Sequence, residues 1–273
     1  AAMKAGIPKE TPAYLVNQVC GSGIRSVASG FQSIKSGDSK ILIAGGQENM
    51  SLAPHAVHIR DSKKLGNISM IDTMIKDGLW DAFYDYHMGM TAENVATKFQ
   101  VTRKDQDKFA LSSQEKALKA QKENKFTNEI VNFKIKSKKA EINFNKDEHP
   151  REGINIESLS RLKPVFKKDG TVTAGNSSGI NDGAAALTLM SSEQAEKKNL
   201  KKLVSIKSWA SCGVDPSIMG TGPIPSSKKA LDLAGWNIED VDLFEINEAF
   251  ASQSIAVQKT LSIPKEKLNV NGG

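Results

Sequence analysis

The chain reads as an α/β protein whose strands lie parallel and are covered by helices. Three observations predict this class. A short apolar run, Tyr14-Leu15-Val16, precedes a helical pattern and then a second apolar run at residues 41–46, which is the order of a βαβ unit. A strand-and-helix rhythm of the same kind returns from Gly170 onward. Between the two, residues 47–174 break the rhythm, as an insertion sitting over a sheet would.

Taken in order, Tyr14-Leu15-Val16 is the first strand. Ile24, Val27, Ala28, Phe31 and Ile34 then recur at helical spacing, and Ser36-Gly37 stops that helix. Residues 41–46, Ile-Leu-Ile-Ala-Gly-Gly, form a short buried strand. Met, His and Pro crowd residues 50–58, and residues 89–96 fit one short helix. A longer helix runs from Thr102 or Arg103 to about Asn124, and two polar β-like runs follow at 129–136 and 141–145. Residues 170–175 and 184–190 resume the strand pattern, and Ser191 with Gln194 makes a capping-box signature for the next helix. Residues 203–209 read as a strand, 224–234 as a helix ended by Gly235, 241–245 as a strand, and Glu248 to about Lys259 as the last helix.

Bulk properties narrow the function classes. The 273 residues are 39% hydrophobic and 25% charged, the balance of a soluble globular protein with one or two domains. No apolar run approaches the roughly 18 residues needed to span a membrane. The start, Ala-Ala-Met-Lys-Ala-Gly, lacks the apolar core of a signal peptide. The net charge of +6 is carried mostly by lysines in short runs (Lys138-Lys139, Lys167-Lys168, Lys197-Lys198), not gathered with aromatics. These are solvated faces rather than a nucleic-acid site, and they would help attract a phosphate-bearing substrate. Two cysteines, Cys20 and Cys212, without a CxxC pair argue against a disulfide framework or zinc site and for a reducing cytoplasm.

Four stretches carry chemistry. Cys20-Gly-Ser-Gly sits where a strand turns into a helix, so the unpaired N–H groups and the positive end of the helix dipole favour a thiolate there. Gly21 and Gly23 let the chain turn sharply and leave room beside the sulfur. Cys20 thus reads as an acyl-accepting nucleophile, or else as a packed core thiol. Phe244-Glu-Ile-Asn-Glu-Ala-Phe-Ala251 stands at another strand-to-helix junction. Asn247 there either caps the helix or holds a water that donates to a developing oxyanion. Residues 174–185, Ala-Gly-Asn-Ser-Ser-Gly-Ile-Asn-Asp-Gly-Ala-Ala, form a small-residue loop that permits close approach of a ligand, or an ordinary turn. Asp85-Tyr-His-Met-Gly89 places His87 beside Met88 in a loop, as a surface pair or a functional one. His55 and His58 have a spacing seen in metal sites but lack an evident third ligand, so no metal is expected.

With Gly45-Gly-Gln-Glu-Asn-Met-Ser51, Met219-Gly-Thr-Gly-Pro-Ile-Pro225 and Asn271-Gly-Gly273 added, these motifs follow one another in thiolase order. The chain resembles the thiolase family from end to end. The resemblance implies the thiolase fold, two similar halves stacked in αβαβα layers with an inserted loop domain. On this chain it implies residues 1–48 as the N-terminal half, 49–179 as the loop domain, 180–200 as the return to the first half and 201–273 as the C-terminal half. It also implies that Cys20 is the acylated nucleophile, its backbone N–H serving one oxyanion hole, and that Asn247 positions the water of the other. Leu79, His87, Met88, Phe166, Ala174, Ser178, Met219, Ala249 and Phe250 match positions lining the acyl and pantetheine pocket. Arg151 matches an arginine near the nucleotide end of coenzyme A.

The implied reaction is ping-pong acyl transfer: thiolytic cleavage of acetoacetyl-CoA and, in reverse, condensation of two acetyl-CoA. The His87-Met88 pair is similar to the acetoacetyl-CoA members, and a 3-ketoacyl-CoA thiolase of broader chain length is the alternative. Coenzyme A is then substrate and product, with no separate cofactor, and the family's habit is a homodimer or homotetramer. Two departures stand beside the match. The family's Gly-His-Pro motif and second catalytic cysteine do not occur in these 273 residues, and Cys212 lies outside the matching motif. Ser177 stands where many relatives carry Ala. The chain is therefore expected to be an internal fragment truncated at both ends, which by itself is inactive or at most binds coenzyme A. A decarboxylating ketoacyl synthase fits less well, because it lacks the Asn-Glu-Ala-Phe pattern.

Overall fold

The computed structural model describes residues 1–59, 65–136 and 141–273. In chain order the elements begin with α1 (Ser22–Ser36), β1 (Ile41–Asn49), β2 (His55–Ala56), β3 (Ile71–Asp72), β4 (Trp80–Asp81) and β5 (Tyr86–His87). Next come α2 (Met88–Lys98), α3 (Arg103–Lys122), β6 (Phe133–Lys136), β7 (Glu141–Phe144) and α4 (Ile156–Ser160). The last are β8 (Asp182–Met190), α5 (Ser192–Lys197), α6 (Pro223–Ala234) and α7 (Ala251–Thr260). A π-helical turn, Met74–Leu79, and short 3₁₀ turns complete the set. The Lys138-Lys139 pair lies outside the described residues. The chain divides into two compact units: Ala1–Ala53 with Asn181–Lys207, and Pro54–Ile180 with Ser208–Gly273.

The first unit is a helix on a two-stranded ladder. Helix α1 ends where expected, at Gly37 in the left-handed conformation (φ 85°), whose N–H reaches the Ile34 and Ser33 carbonyls. Strands β1 and β8 pair antiparallel along their whole length, from Ile41 opposite Met190 to Asn49 opposite Asp182. Gly45 makes that ladder possible, because a methyl group there would overlap the Ala185 carbonyl. The helix docks closely for a similar reason: a β-carbon at Gly30 would stand 2.6 Å from Leu42 Cδ1. The Ser26 hydroxyl ties the two together by donating to the Gly45 carbonyl at 2.8 Å.

The second unit is organised around α7. Every residue from Ala251 to Val257 is buried, so the first two turns of this helix have no wet face and form a central element. Small residues let α2 approach it, and the Ser252 hydroxyl donates to the Ala92 carbonyl of α2 at 3.0 Å. Below, Val257, Leu261, Ile263 and Leu268 form a core against which Phe109 of α3, Ile224 of α6, Phe244 and Ile246 pack. Thr102 caps α3 with a reciprocal box: its hydroxyl accepts from the Asp105 amide at 3.1 Å, and its own amide donates to the Asp105 carboxylate at 3.2 Å. The β-like runs at 129–136 and 141–145 appear as the antiparallel pair β6–β7.

Several expected strands do not form among the described residues. The expected parallel pairing is replaced by the antiparallel β1–β8 ladder. Residues 14–16 form no strand, and Tyr14 and Leu15 are exposed. Residues 203–209 are likewise irregular, with Leu203 and Val204 exposed. Residues 241–245 make only an isolated bridge, Phe244 with Leu268. Residues 170–175 are irregular, the Thr171, Val172, Thr173 and Gly175 amides donating to side chains. The common cause is that an apolar run becomes a strand only where a neighbouring strand takes its N–H and C=O groups. Helix α7 begins at Ala251 rather than Glu248, so Asn247 is not its cap.

Candidate active site

In the first unit Cys20 lies two residues before α1 and is exposed, which removes the packed-core alternative. The turn that carries it is tightly bonded. Val19 adopts a left-handed conformation (φ 49°), and the Gly21 and Ser22 amides donate to the Gln18 and Val19 carbonyls at 3.0 and 3.1 Å. The Ser22 hydroxyl donates to the Val19 carbonyl at 2.6 Å and accepts from the Gln18 amide at 2.8 Å. These bonds aim the backbone so that the thiol stands out at the helix start. Cys212, in the second unit, is half-buried and free.

The second unit gathers most of the remaining candidates. His87 ends β5 and caps α2, its Nδ1 accepting from the Gly89 amide at 3.0 Å. Its ring stacks on Phe166, with centroids 4.6 Å apart, and Phe166 meets Phe250 edge-on at 6.3 Å. Gly89 has no alternative here, because a β-carbon would overlap the Phe166 ring. The loop after Ala174 runs against the turn before α7: Ser178 donates its amide to the Ala249 carbonyl at 3.0 Å, and Ala251 donates to the Asn176 carbonyl at 2.9 Å. His87, Met88, Phe166, Ser178, Ala249 and Phe250 therefore belong to one continuous set of contacts. Asn247 is exposed at the start of the turn. Met219 lies in the 3₁₀ segment Pro216–Thr221, fixed to α2 by the Asn94 amide, which donates to the Ser217 carbonyl at 3.0 Å. Leu79 ends the π-helical turn, Ala174 is exposed, and Arg151 is exposed with its amide on Gln114 Oε1 at 2.9 Å.

What holds this set in place was not evident in the sequence. Glu93, buried on the inner face of α2, accepts from the Thr171 and Val172 amides at 2.7 and 2.8 Å and from the Thr171 hydroxyl at 2.9 Å. Asn176 accepts from the Thr173 amide at 2.8 Å and donates to Asp107 Oδ1 at 3.0 Å, while Arg103 pairs with Asp107 at 2.8 Å. On the other side the fully buried Asn269 accepts from the Ile246 amide at 2.8 Å and donates to the Glu248 carboxylate at 2.6 Å. The one available signal was a charged Glu93 beside Ala92, Val95 and Ala96 on a face that otherwise reads as core. Replacing Glu93 by Ala leaves the buried Val172 amide and the half-buried Thr171 amide and hydroxyl without this acceptor, so Glu93→Ala is expected to lose about 2–3 kcal/mol of stability in a urea titration.

Burial holds the His87 imidazole below its ordinary value of 6.5, because the charged ring is the form that loses solvation. A depressed folded-state value stabilises the fold above 6.5, and that contribution is lost as pH falls through the lower value. Urea titrations on either side of this window should show the loss on acidification in the parent and its disappearance in His87→Phe, which keeps the stack on Phe166. Among the described residues no cluster of three or more His, Cys, Asp and Glu side chains could hold a metal ion, and no helix is long and apolar enough to cross a membrane.

An exposed cysteine at a helix start is the kind of nucleophile that an acyl-transfer enzyme handling thioesters uses. Residues 1–193 match the thiolase N-terminal domain and residues 200–273 the thiolase C-terminal domain, so the chain belongs to the thiolase family of acyltransferases and has the thiolase fold. It is 56% identical to an acetyl-CoA acetyltransferase of Rhizobium meliloti over all of its own length and 70% of that relative's. Among solved structures it superposes on the Bacillus anthracis acetyl-CoA acetyltransferase with a TM-score of 0.96 at 44% identity, covering 100% of this chain and 69% of that one. It also superposes on human mitochondrial 3-ketoacyl-CoA thiolase in complex with CoA, with a TM-score of 0.94 at 42% identity over 99% of this chain and 68% of that one.

Proposed function

We propose that the protein is an acetyl-CoA C-acetyltransferase that interconverts acetoacetyl-CoA plus coenzyme A with two molecules of acetyl-CoA. The observation that carries this reading is the 56% identity to an acetyl-CoA acetyltransferase along the entire chain, with Cys20-Gly-Ser-Gly at the start of α1. In the cleavage direction the Cys20 thiolate attacks the keto carbon of acetoacetyl-CoA. The carbon–carbon bond breaks, its electron pair stays on the α-carbon of the departing acetyl-CoA, and that carbon takes a proton. Coenzyme A thiolate then attacks the Cys20 thioester, releasing the second acetyl-CoA and restoring the Cys20 thiolate. In this reading Asn247 holds a water whose hydrogen bond stabilises the developing oxyanion.

Leu79, His87, Met88, Phe166, Ala174, Ser178, Met219, Ala249 and Phe250 line the acyl and pantetheine path, and Arg151 meets the nucleotide end. Residues 1–48 and 180–200 serve as the N-terminal half, 49–179 as the loop domain and 201–273 as the C-terminal half. The protein works in the cytoplasm as a homodimer or homotetramer.

A second reading, a thiolase of broader chain length, is favoured by the superposition on the human 3-ketoacyl-CoA thiolase. Thiolysis of acetoacetyl-CoA and of longer 3-ketoacyl-CoA esters by the full-length protein separates the two. Turnover confined to acetoacetyl-CoA is the expected result. Comparable kcat/KM on long chains would establish the second reading, and no turnover of either would sink both.

A further inference from the structure

We propose that Gln253, a residue with no place in the reaction as described, is the positioning residue that sets the direction of Asn247; the inference rests on the oxyanion role given to Asn247 above. Residues 247–250 belong to no helix or strand, and their course is fixed by the backbone contacts of Ala249 and Phe250 with residues 177–178 and by side chains that reach them. Gln253 is 3% exposed in the first turn of α7 and contacts both ends of this turn. Its Oε1 accepts from the Phe250 amide at 3.1 Å, and its Nε2 donates to the Asn247 carbonyl at 3.2 Å. One side chain thus fixes the separation of the Asn247 carbonyl and the Phe250 amide, and with it the direction in which the Asn247 side chain leaves the backbone.

The stem of Gln253 is itself held. Gly220 presses on it so closely that a β-carbon there would lie 2.6 Å from Gln253 Cγ. Gly220 adjoins Met219, so the segment carrying one proposed pocket residue braces the side chain that aims another. The bond to the Phe250 amide is what any helix-capping glutamine would supply. The bond to the Asn247 carbonyl is not required by the helix.

Gln253→Glu separates these two roles. It keeps the acceptor for Phe250 and the side-chain length, and it sets an acceptor in place of a donor against the Asn247 carbonyl. Misplacement of a reacting group by about 1 Å costs roughly 10²-fold in rate. In the full-length protein Gln253→Glu should therefore lower kcat for acetoacetyl-CoA thiolysis by about tenfold to a hundredfold, with KM within about threefold. In an Asn247→Ala background the same change should cost less than about twofold, because the group it aims is gone. Gln253→Met removes both bonds at similar volume and enters the same cycle if the carboxylate unfolds the chain. A wild-type kcat in Gln253→Glu, with Asn247→Ala impaired, overturns the positioning role and leaves the Asn247 assignment intact. Penalties that simply add also overturn it. A fully active Asn247→Ala overturns the assignment and the inference together.

Discussion

In the full-length protein Cys20→Ala is expected to abolish acyl-enzyme formation and to lower turnover of acetoacetyl-CoA on the order of 10⁴-fold or more, the scale seen when a catalytic nucleophile is removed. The effect should be confined to chemistry. The thiol is exposed, and the bonds that shape its turn come from the backbone, Asn17 and Ser22 rather than from the sulfur. An exposed side chain of this kind contributes within about 0.5 kcal/mol to stability, so the variant should unfold at the same urea concentration as the parent. Incubation with acetyl-labelled acetyl-CoA, followed by denaturation and mass measurement, provides the check. Acetylation of the variant as fast as the parent would reject the assignment.

In the full-length protein Asn247→Ala is expected to reduce kcat by about 10²- to 10³-fold with a much smaller change in KM, the range for loss of one oxyanion donor. The split follows from the role. A donor that acts on charge present only in the transition state does not hold the ground-state thioester. Asn247 is exposed, and its backbone carbonyl, which accepts from Gln253, survives the substitution. A loss of stability larger than the loss of activity would instead mark Asn247 as part of the scaffold.

The sequence was most informative where the chain reports on itself locally. Helix α1, its stop at Gly37, the Thr102 start of α3, the Ser191 cap of α5 and the end of α6 at Gly235 all depend on residues within one or two turns. The thiolase membership followed from ordered motifs. Strands were read less well, because residues 14–16, 203–209 and 241–245 carry strand composition and a strand exists only with its partner. The antiparallel course of β1 depends on Gly45 fitting against Ala185, a contact between residues far apart in the chain. The same limit hid the supports of the candidate site. Glu93, Asn176, Asn269 and Gln253 are ordinary polar residues until folding gives each of them a particular backbone to bond.

Helix α7 has a consequence for motion. Its sequence, Ala-Ser-Gln-Ser-Ile-Ala-Val-Gln-Lys-Thr, is a poor helix former on its own, rich in Ser and β-branched residues, and its first seven positions are buried on every side. Its buried turns, Ala251–Val257, exist only while their neighbours enclose them, so they cannot open separately from α2 and α3. Solvent reaches its amides only when the surrounding unit opens as a whole, which puts their exchange at the slowest end of the range. The turn at residues 247–250 leads directly into its first residue. Asn247 is thus exposed and yet joined through its backbone carbonyl to Gln253, inside the buried part of that helix.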